Sequence, residues 1–210
     1  MRVDGELPQE PSRAFKERRR AERLRVTLNI PVILTLLRIA LIPLFVLVFY
    51  LPFTWAHPVS AVVFLFAGVT DWLDGYLARR WGQISAFGAF LDPVADKLMV
   101  AAALMMLVGD NGSLWLAIPA IVIVGREIAV SALREFMAEL GQRGIVAVSY
   151  AAKVKTTCQI VALLLLLHRQ PLFGMPTYAL GLVLIYAAAG LTLWSMLIYL
   201  RAAWRTVDVE

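Results

Sequence analysis

The sequence predicts an all-α integral membrane protein with six transmembrane helices, on three observations. Hydrophobic residues make up 60% of the 210 and charged residues only 17%, against about a quarter charged in soluble domains. Apolar runs of about the twenty residues that a bilayer crossing needs recur along the chain. The positive charges collect at alternate connections between those runs. A disordered, fibrous or ordinary soluble protein is thereby excluded, and six spans leave little chain for a separate soluble domain.

The runs cover residues 31–51, 59–77, 87–108, 114–137, 148–167 and 178–200. Turn formers separate them: Leu51-Pro52 and Ala56-His57-Pro58, then Gly82 and Ser85, then Gly109-Asp110-Asn111-Gly112, then Gln170-Pro171. Such short connections predict a compact bundle. The turns after the first, third and fifth spans share one cation, Arg169, whereas the other side collects the basic amino terminus, Arg79, Arg80, Arg143, Lys153, Arg201 and Arg205. The positive-inside rule therefore places both termini and the second and fourth connections in the cytoplasm. Trp81, Tyr199 and Trp204 on that side, with Trp55 and Trp115 on the other, sit where interfacial aromatic anchors are expected.

Residues 1–28 read as a basic cytoplasmic extension, 29–204 as the six-helix domain and 205–210 as a short tail. Within the extension, 12–25 is helix-capable and suited to anionic headgroups or to retaining the amino terminus inside. It is too long and too charged for a cleaved signal peptide. The net charge of +5 belongs to the flanks of apolar runs, which predicts membrane lipids and not nucleic acid as partners. The single cysteine, Cys158, excludes an intrachain disulfide and reads as packing.

Four carboxylates break the apolar pattern: Asp71 and Asp74 at the end of the second span, Asp92 and Asp96 at the start of the third. Each costs about 2.5 to 3.5 kcal/mol at the centre of a span, so they require a shared polar cavity and compensating cations. Asp71, Asp74, Gly75 and Ala78 are spaced i, i+3, i+4, i+7, and Gly88, Asp92 and Asp96 are spaced i, i+4, i+8. Each set forms one helical stripe, and a short turn makes the two helices antiparallel neighbours whose small residues leave room for a ligand. An all-oxygen donor set favours a hard cation such as Mg²⁺, Mn²⁺ or Ca²⁺. Two divalent ions would balance four negative charges and suit attack at phosphorus. His57 and His168 map to the far side, so the general base is a carboxylate, and Asp96, deepest in its helix, is the candidate.

At these residues the chain resembles the CDP-alcohol phosphatidyltransferase family. The family signature, D-x2-D-G-x2-A-R-x8-G-x3-D-x3-D, is matched at every fixed position by Asp71, Asp74, Gly75, Ala78, Arg79, Gly88, Asp92 and Asp96. The resemblance extends over about 29–204. It implies a six-helix membrane fold, commonly a homodimer, with a cytosol-facing pocket for a CDP-linked lipid and two divalent cations, Mg²⁺ or Mn²⁺. Asp71, Asp74 and Asp92 are implied as metal ligands, with Asp96 as metal neighbour and base. Asp71, Gly75, Ala78, Arg79 and Gly88, together with Asn29 and Thr35, are implied contacts of the CDP-lipid. The implied reaction is direct attack of an acceptor hydroxyl on the lipid-side phosphorus of CDP-diacylglycerol, with CMP leaving. The cytidine enters only through the resemblance.

The acceptor is read from a second polar set: Arg126, Arg134, Lys153 and Lys155 on the fourth and fifth spans, with Arg38 on the first. Arg126 interrupts a run of aliphatic residues, and an intramembrane cation marks a ligand or a partner by default. The alternative is that Arg126 and Arg134 pair with Glu127 and Glu135 or snorkel to headgroups. Clustered Arg and Lys suit a phosphate dianion, which favours glycerol 3-phosphate or inositol phosphate over a neutral acceptor such as serine. Within the family, Asn29-Ile30-Pro31, Arg126-Glu127-Ile128, Ser131-Ala132-Leu133-Arg134-Glu135 and Lys153-Val154-Lys155-Thr156-Thr157 look like the branch that uses glycerol 3-phosphate. Val32 departs from the asparagine that many members carry after the proline. A competing class, an ion or proton relay, would need polar groups through 41–50 and 101–108, which are apolar apart from Tyr50. A purely structural anchor would not need eight residues at fixed spacings.

Overall fold

The computed structural model describes residues 30–81, 86–139, 150–172 and 174–207. These form six α-helices: α1 (Ile30–Phe49), α2 (Ala56–Trp81), α3 (Ala86–Asn111), α4 (Leu114–Glu139), α5 (Tyr150–His168) and α6 (Thr177–Val207). Each apolar run of the sequence becomes one helix, with ends moved by a few residues, and α6 continues into the predicted tail. The extension over 1–28, Asn29, the turn at Gly82 and Ser85, and Arg143 lie outside the described residues.

Four helices contain stretches long and apolar enough to cross a bilayer: Val32–Phe49, Ala56–Leu73, Leu114–Glu139 and Thr177–Arg201. In α5 the apolar stretch is the shorter Val154–His168, and α3 carries Asp92, Asp96, Lys97 and Asp110. Large aliphatic side chains such as Leu47, Val62, Ile121 and Val183 face outward, the pattern of a bundle whose solvent is hydrocarbon.

The helices close a ring in the order α1, α2, α5, α6, α4, α3, with α3 and α5 also meeting across it. Chain order is therefore not packing order: α2 and α3, joined by a short turn, touch only sparsely, while α1 packs on both. The half of the bundle away from the aspartates is packed with apolar side chains. Phe45, Phe64, Leu104, Leu107, Ile123 and Leu163 interlock there, and the Phe45 and Phe64 rings lie 6.0 Å apart. Lipid tails are as apolar as these side chains, so close packing, and not expulsion from water, holds the helices together.

The α5–α6 seam is among the tightest. A Cβ on Gly181 would come within 2.8 Å of Leu166 Cγ and 3.2 Å of the Ala162 carbonyl oxygen, and Leu166 is fully buried. Gly181→Val is therefore expected to cost roughly 1–3 kcal/mol through overpacking. Thermal unfolding in detergent should show a lower Tm than wild type, and an unchanged Tm would mean the seam yields.

At the same apolar end, Arg169 accounts for the lone cation of that side. It pairs with Asp110 at the end of α3, and its Nη1 lies 3.2 Å from His57 Nε2 at the start of α2. Gln170 Nε2 donates to the Thr54 carbonyl at 3.1 Å. Three connections are thus tied together, and Arg169 takes a left-handed φ of 58° to do so, a conformation that favours glycine at helix ends. His57 serves this tie far from the aspartates.

Candidate active site

Helix α1 is the wedge that assembles the aspartate end. Arg38 Nη1 donates to Asp71 Oδ1 at 2.5 Å, and Thr35 Oγ1 donates to Asp92 Oδ1 at 2.5 Å. Thr35 and Arg38 stand three residues apart on one face of α1, so a single helix holds a carboxylate from α2 and one from α3. Arg38 is 2% exposed while the Asp71 side chain is 42% exposed. The buried guanidinium is thus compensated, as a buried charge must be, and Asp71 keeps an open face. Asp71 of α2 and Asp92 of α3 are each bonded to α1, which packs against both helices, while α2 and α3 touch each other only sparsely.

Asp96, one turn deeper than Asp92, lines two cavities. The first, of about 250 Å³, runs between α1, α2, α3 and α5. It has Arg38 and Asp96 among walls of Phe64, Leu65, Met99 and Ile160, and Gly68 adds open space. The second, of about 290 Å³, is lined by Arg126, Arg134 and Lys155, with Lys97, Glu127 and Gln159. Asp96, Val100 and Ile160 belong to both. A carboxylate therefore stands where an amphiphilic chamber meets a basic one.

The basic chamber is wired to keep its cations in place. Glu127 Oε1 accepts from Arg126 Nη2 at 2.5 Å and from Lys155 Nζ at 3.5 Å. Lys97 Nζ donates to Ser131 Oγ at 2.5 Å, and Ser131 Oγ donates to the Glu127 carbonyl at 2.5 Å. The Arg134 guanidinium stands 5.9 Å from the centroid of the Tyr199 ring, within cation–π range. Among the lining side chains four cations (Lys97, Arg126, Arg134, Lys155) face two carboxylates (Asp96, Glu127). The excess of two positive charges matches a dianion. Arg126 does pair with Glu127, as the alternative reading allowed, yet it still lines the chamber.

Arg126, Arg134 and Lys155 are thus brought together as the sequence suggests, whereas Arg38 is not with them. It sits on Asp71, because α1 packs against α2 and α3 and not against α4. Gly88 is buried on α3. Gly75 and the side chains of Asp74, Ala78, Arg79 and Lys153 lie outside the described set. Sequence reasoning missed Lys97, Gln159 and Ser195 and took Tyr199 for an interfacial anchor. Gln159 carried a signal, being a polar residue one turn beyond Lys155 in an apolar run. A larger cavity of about 520 Å³ between α3 and α4 has an apolar lining, including Leu104, Val108 and Ile121, and offers no group for chemistry.

Among the described residues no three Asp, Glu, His or Cys side chains converge on one point. The described carboxylates of the motif, Asp71, Asp92 and Asp96, offer oxygen donors without sulfur or imidazole, the donor chemistry that hard divalent cations take.

Comparison with known proteins bears on this site. The family model for CDP-alcohol phosphatidyltransferase matches residues 28–194. The chain belongs to the CDP-alcohol phosphatidyltransferase family. A protein of Salmonella typhimurium is 58% identical over 175 residues, covering 83% of this chain and 94% of its own. One from Escherichia coli (strain K12) is 57% identical over 175 residues, with the same coverage. One from Pseudomonas fluorescens is 57% identical over 179 residues, 84% of this chain and 91% of its own. Each of the three is named CDP-diacylglycerol–glycerol-3-phosphate 3-phosphatidyltransferase. The match runs from before the start of α1 to Trp194 in α6 and takes in the lining of both chambers except Ser195 and Tyr199.

Proposed function

We propose that the protein transfers the phosphatidyl group of CDP-diacylglycerol to glycerol 3-phosphate, giving phosphatidylglycerophosphate and CMP. The observation that carries this is the shared position of Asp96 between an amphiphilic chamber and a chamber of net positive charge. The names of relatives at 57–58% identity support it. The lipid substrate takes the first chamber, and the CDP portion is assigned to Asp71, Gly75, Ala78, Arg79 and Gly88, with Asn29 and Thr35 at the head of α1.

In the second chamber Arg126, Lys155 and Arg134, with Lys153, hold the acceptor phosphate, since clustered guanidinium and ammonium groups bind a dianion by charge-assisted hydrogen bonds. This leaves the acceptor hydroxyl toward Asp96, whose carboxylate takes its proton. The oxygen forms a bond to the lipid-side phosphorus as the bond from that phosphorus to the bridging oxygen breaks. CMP carries away the electron pair. Asp71, Asp74, Asp92 and Asp96 would hold two divalent cations, Mg²⁺ or Mn²⁺, which supply charge neutralisation at the attacking and leaving oxygens. Arg38 keeps Asp71 in place, and Thr35 does the same for Asp92. Holding both substrates in line supplies a large share of the rate without a covalent intermediate.

The positive side of the bundle is the aspartate side, so the site opens to the cytoplasm of a bacterial inner membrane, with both termini there. A homodimer is the assembly that the family suggests. Purified protein in detergent, given CDP-diacylglycerol, Mg²⁺ and labelled glycerol 3-phosphate, should move label into lipid of the mass of phosphatidylglycerophosphate, and a chelator should stop it. Label left in the aqueous phase, with transfer to inositol phosphate instead, would keep the chemistry and overturn the acceptor.

A further inference from the structure

We infer that Gln159 recognises the second hydroxyl of the acceptor, the one that neither reacts nor carries phosphate, and so makes the site selective for a vicinal diol phosphate. The inference rests on glycerol 3-phosphate being the acceptor. That molecule has three polar ends to satisfy. Its phosphate matches the cations of the basic chamber, and its reacting hydroxyl must lie at Asp96. The remaining hydroxyl needs a neutral partner that can donate and accept.

The chamber offers four neutral polar side chains: Thr156, Gln159, Ser195 and Tyr199. Thr156 is exposed. Ser195 Oγ donates to the Thr192 carbonyl at 2.9 Å, and Tyr199 faces the Arg134 guanidinium. Gln159 is the one buried side chain of the four, 5% exposed, where Ser195 and Tyr199 are half-buried. It follows Lys155 by one turn, about 6 Å further along the axis of α5, on the same face. Its neighbour Ile160 lines both chambers with Asp96 and Val100. Gln159 thus lines the basic chamber one turn beyond Lys155 and next in sequence to a residue of the wall where the two chambers join. A buried primary amide on a membrane helix is costly unless it is hydrogen-bonded, and a carboxamide serves a hydroxyl in both directions.

The test compares glycerol 3-phosphate with 3-hydroxypropyl phosphate, which has the same charge and reacting primary hydroxyl and lacks only the second one. Wild type should prefer glycerol 3-phosphate by at least about tenfold in kcat/KM, the effect of leaving one buried polar group unpaired. Gln159→Met, of similar length and volume, should lower kcat/KM for glycerol 3-phosphate to within about threefold of the analogue. Turnover of the analogue should fall less than that of glycerol 3-phosphate, while the KM for CDP-diacylglycerol and the Tm in detergent stay near wild type, which shows that the variant is folded. Equal use of both acceptors by wild type would overturn the inference while leaving the reaction standing. So would discrimination that survives in Gln159→Met, or an equal loss on both acceptors, since a structural role moves both alike. No turnover of either phosphate by wild type would overturn the acceptor itself.

Discussion

Asp96→Asn is expected to abolish phosphatidyl transfer, lowering kcat by roughly 10²–10⁴-fold, the range that a positioned general base supplies. The substitution keeps the shape of the side chain and removes its ability to take a proton. Asp96 sits at the meeting of two cavities and no described hydrogen bond runs from it to another helix. The fold should therefore survive, and Tm in detergent should match wild type. Asp96 is also one of the carboxylates assigned to the divalent cations, so the comparison is made at saturating Mg²⁺, where the loss should fall on kcat and not on KM. Asp71→Asn differs, because Asp71 holds Arg38. Its neutral form leaves a buried guanidinium under-compensated, and Tm should fall along with activity. Activity retained by Asp96→Asn at more than about a tenth of wild type would remove it from the role of base.

Arg126→Ala is expected to raise the KM for glycerol 3-phosphate by roughly tenfold to a hundredfold, the effect of losing a buried charge-assisted contact. The KM for CDP-diacylglycerol should move by no more than about twofold, since Arg126 lines only the basic chamber and hydrophobic contacts in the other chamber are untouched. The variant also frees Glu127, which then faces Lys155 alone, so the chamber loses one of its two excess positive charges. Arg126→Lys should recover part of the affinity, because an ammonium restores the charge without the planar fork. Steady-state kinetics with each substrate varied in turn decides the matter. Equal effects on both KM values would mean that the arginine acts on the bundle and not on the acceptor.

The existence and order of the helices were legible because successive apolar runs are separated by Pro, Gly or Asx residues such as Pro52 and Gly109, and hydropathy over a bilayer length is a strong signal. The two aspartate stripes follow from helical spacing alone, and the structure places Asp71 on α2 and Asp92 and Asp96 on α3. The ring order was not. A turn of a few residues suggests that α2 and α3 pack together, yet Thr35 and Arg38 of α1 carry the hydrogen bonds that span them. Which helix supplies a counter-charge is a tertiary fact, and Arg38 looked like any other basic residue on the positive side. The α6 contribution was hidden for a similar reason: Ser195 and Tyr199 lie one turn apart in a helix that is apolar nearly all round, so no periodicity says which face turns inward. Gln159 was the exception, a polar residue in an aliphatic run that could have been read as lining a cavity.

The most direct test is CMP release by the purified protein in detergent with CDP-diacylglycerol and Mg²⁺ or Mn²⁺, with and without glycerol 3-phosphate, beside Asp96→Asn. Direct transfer between two chambers that meet at Asp96 requires that CMP appear only when acceptor, divalent ion and the carboxylate are all present. CMP released at the same rate without glycerol 3-phosphate, or by Asp96→Asn, would contradict it.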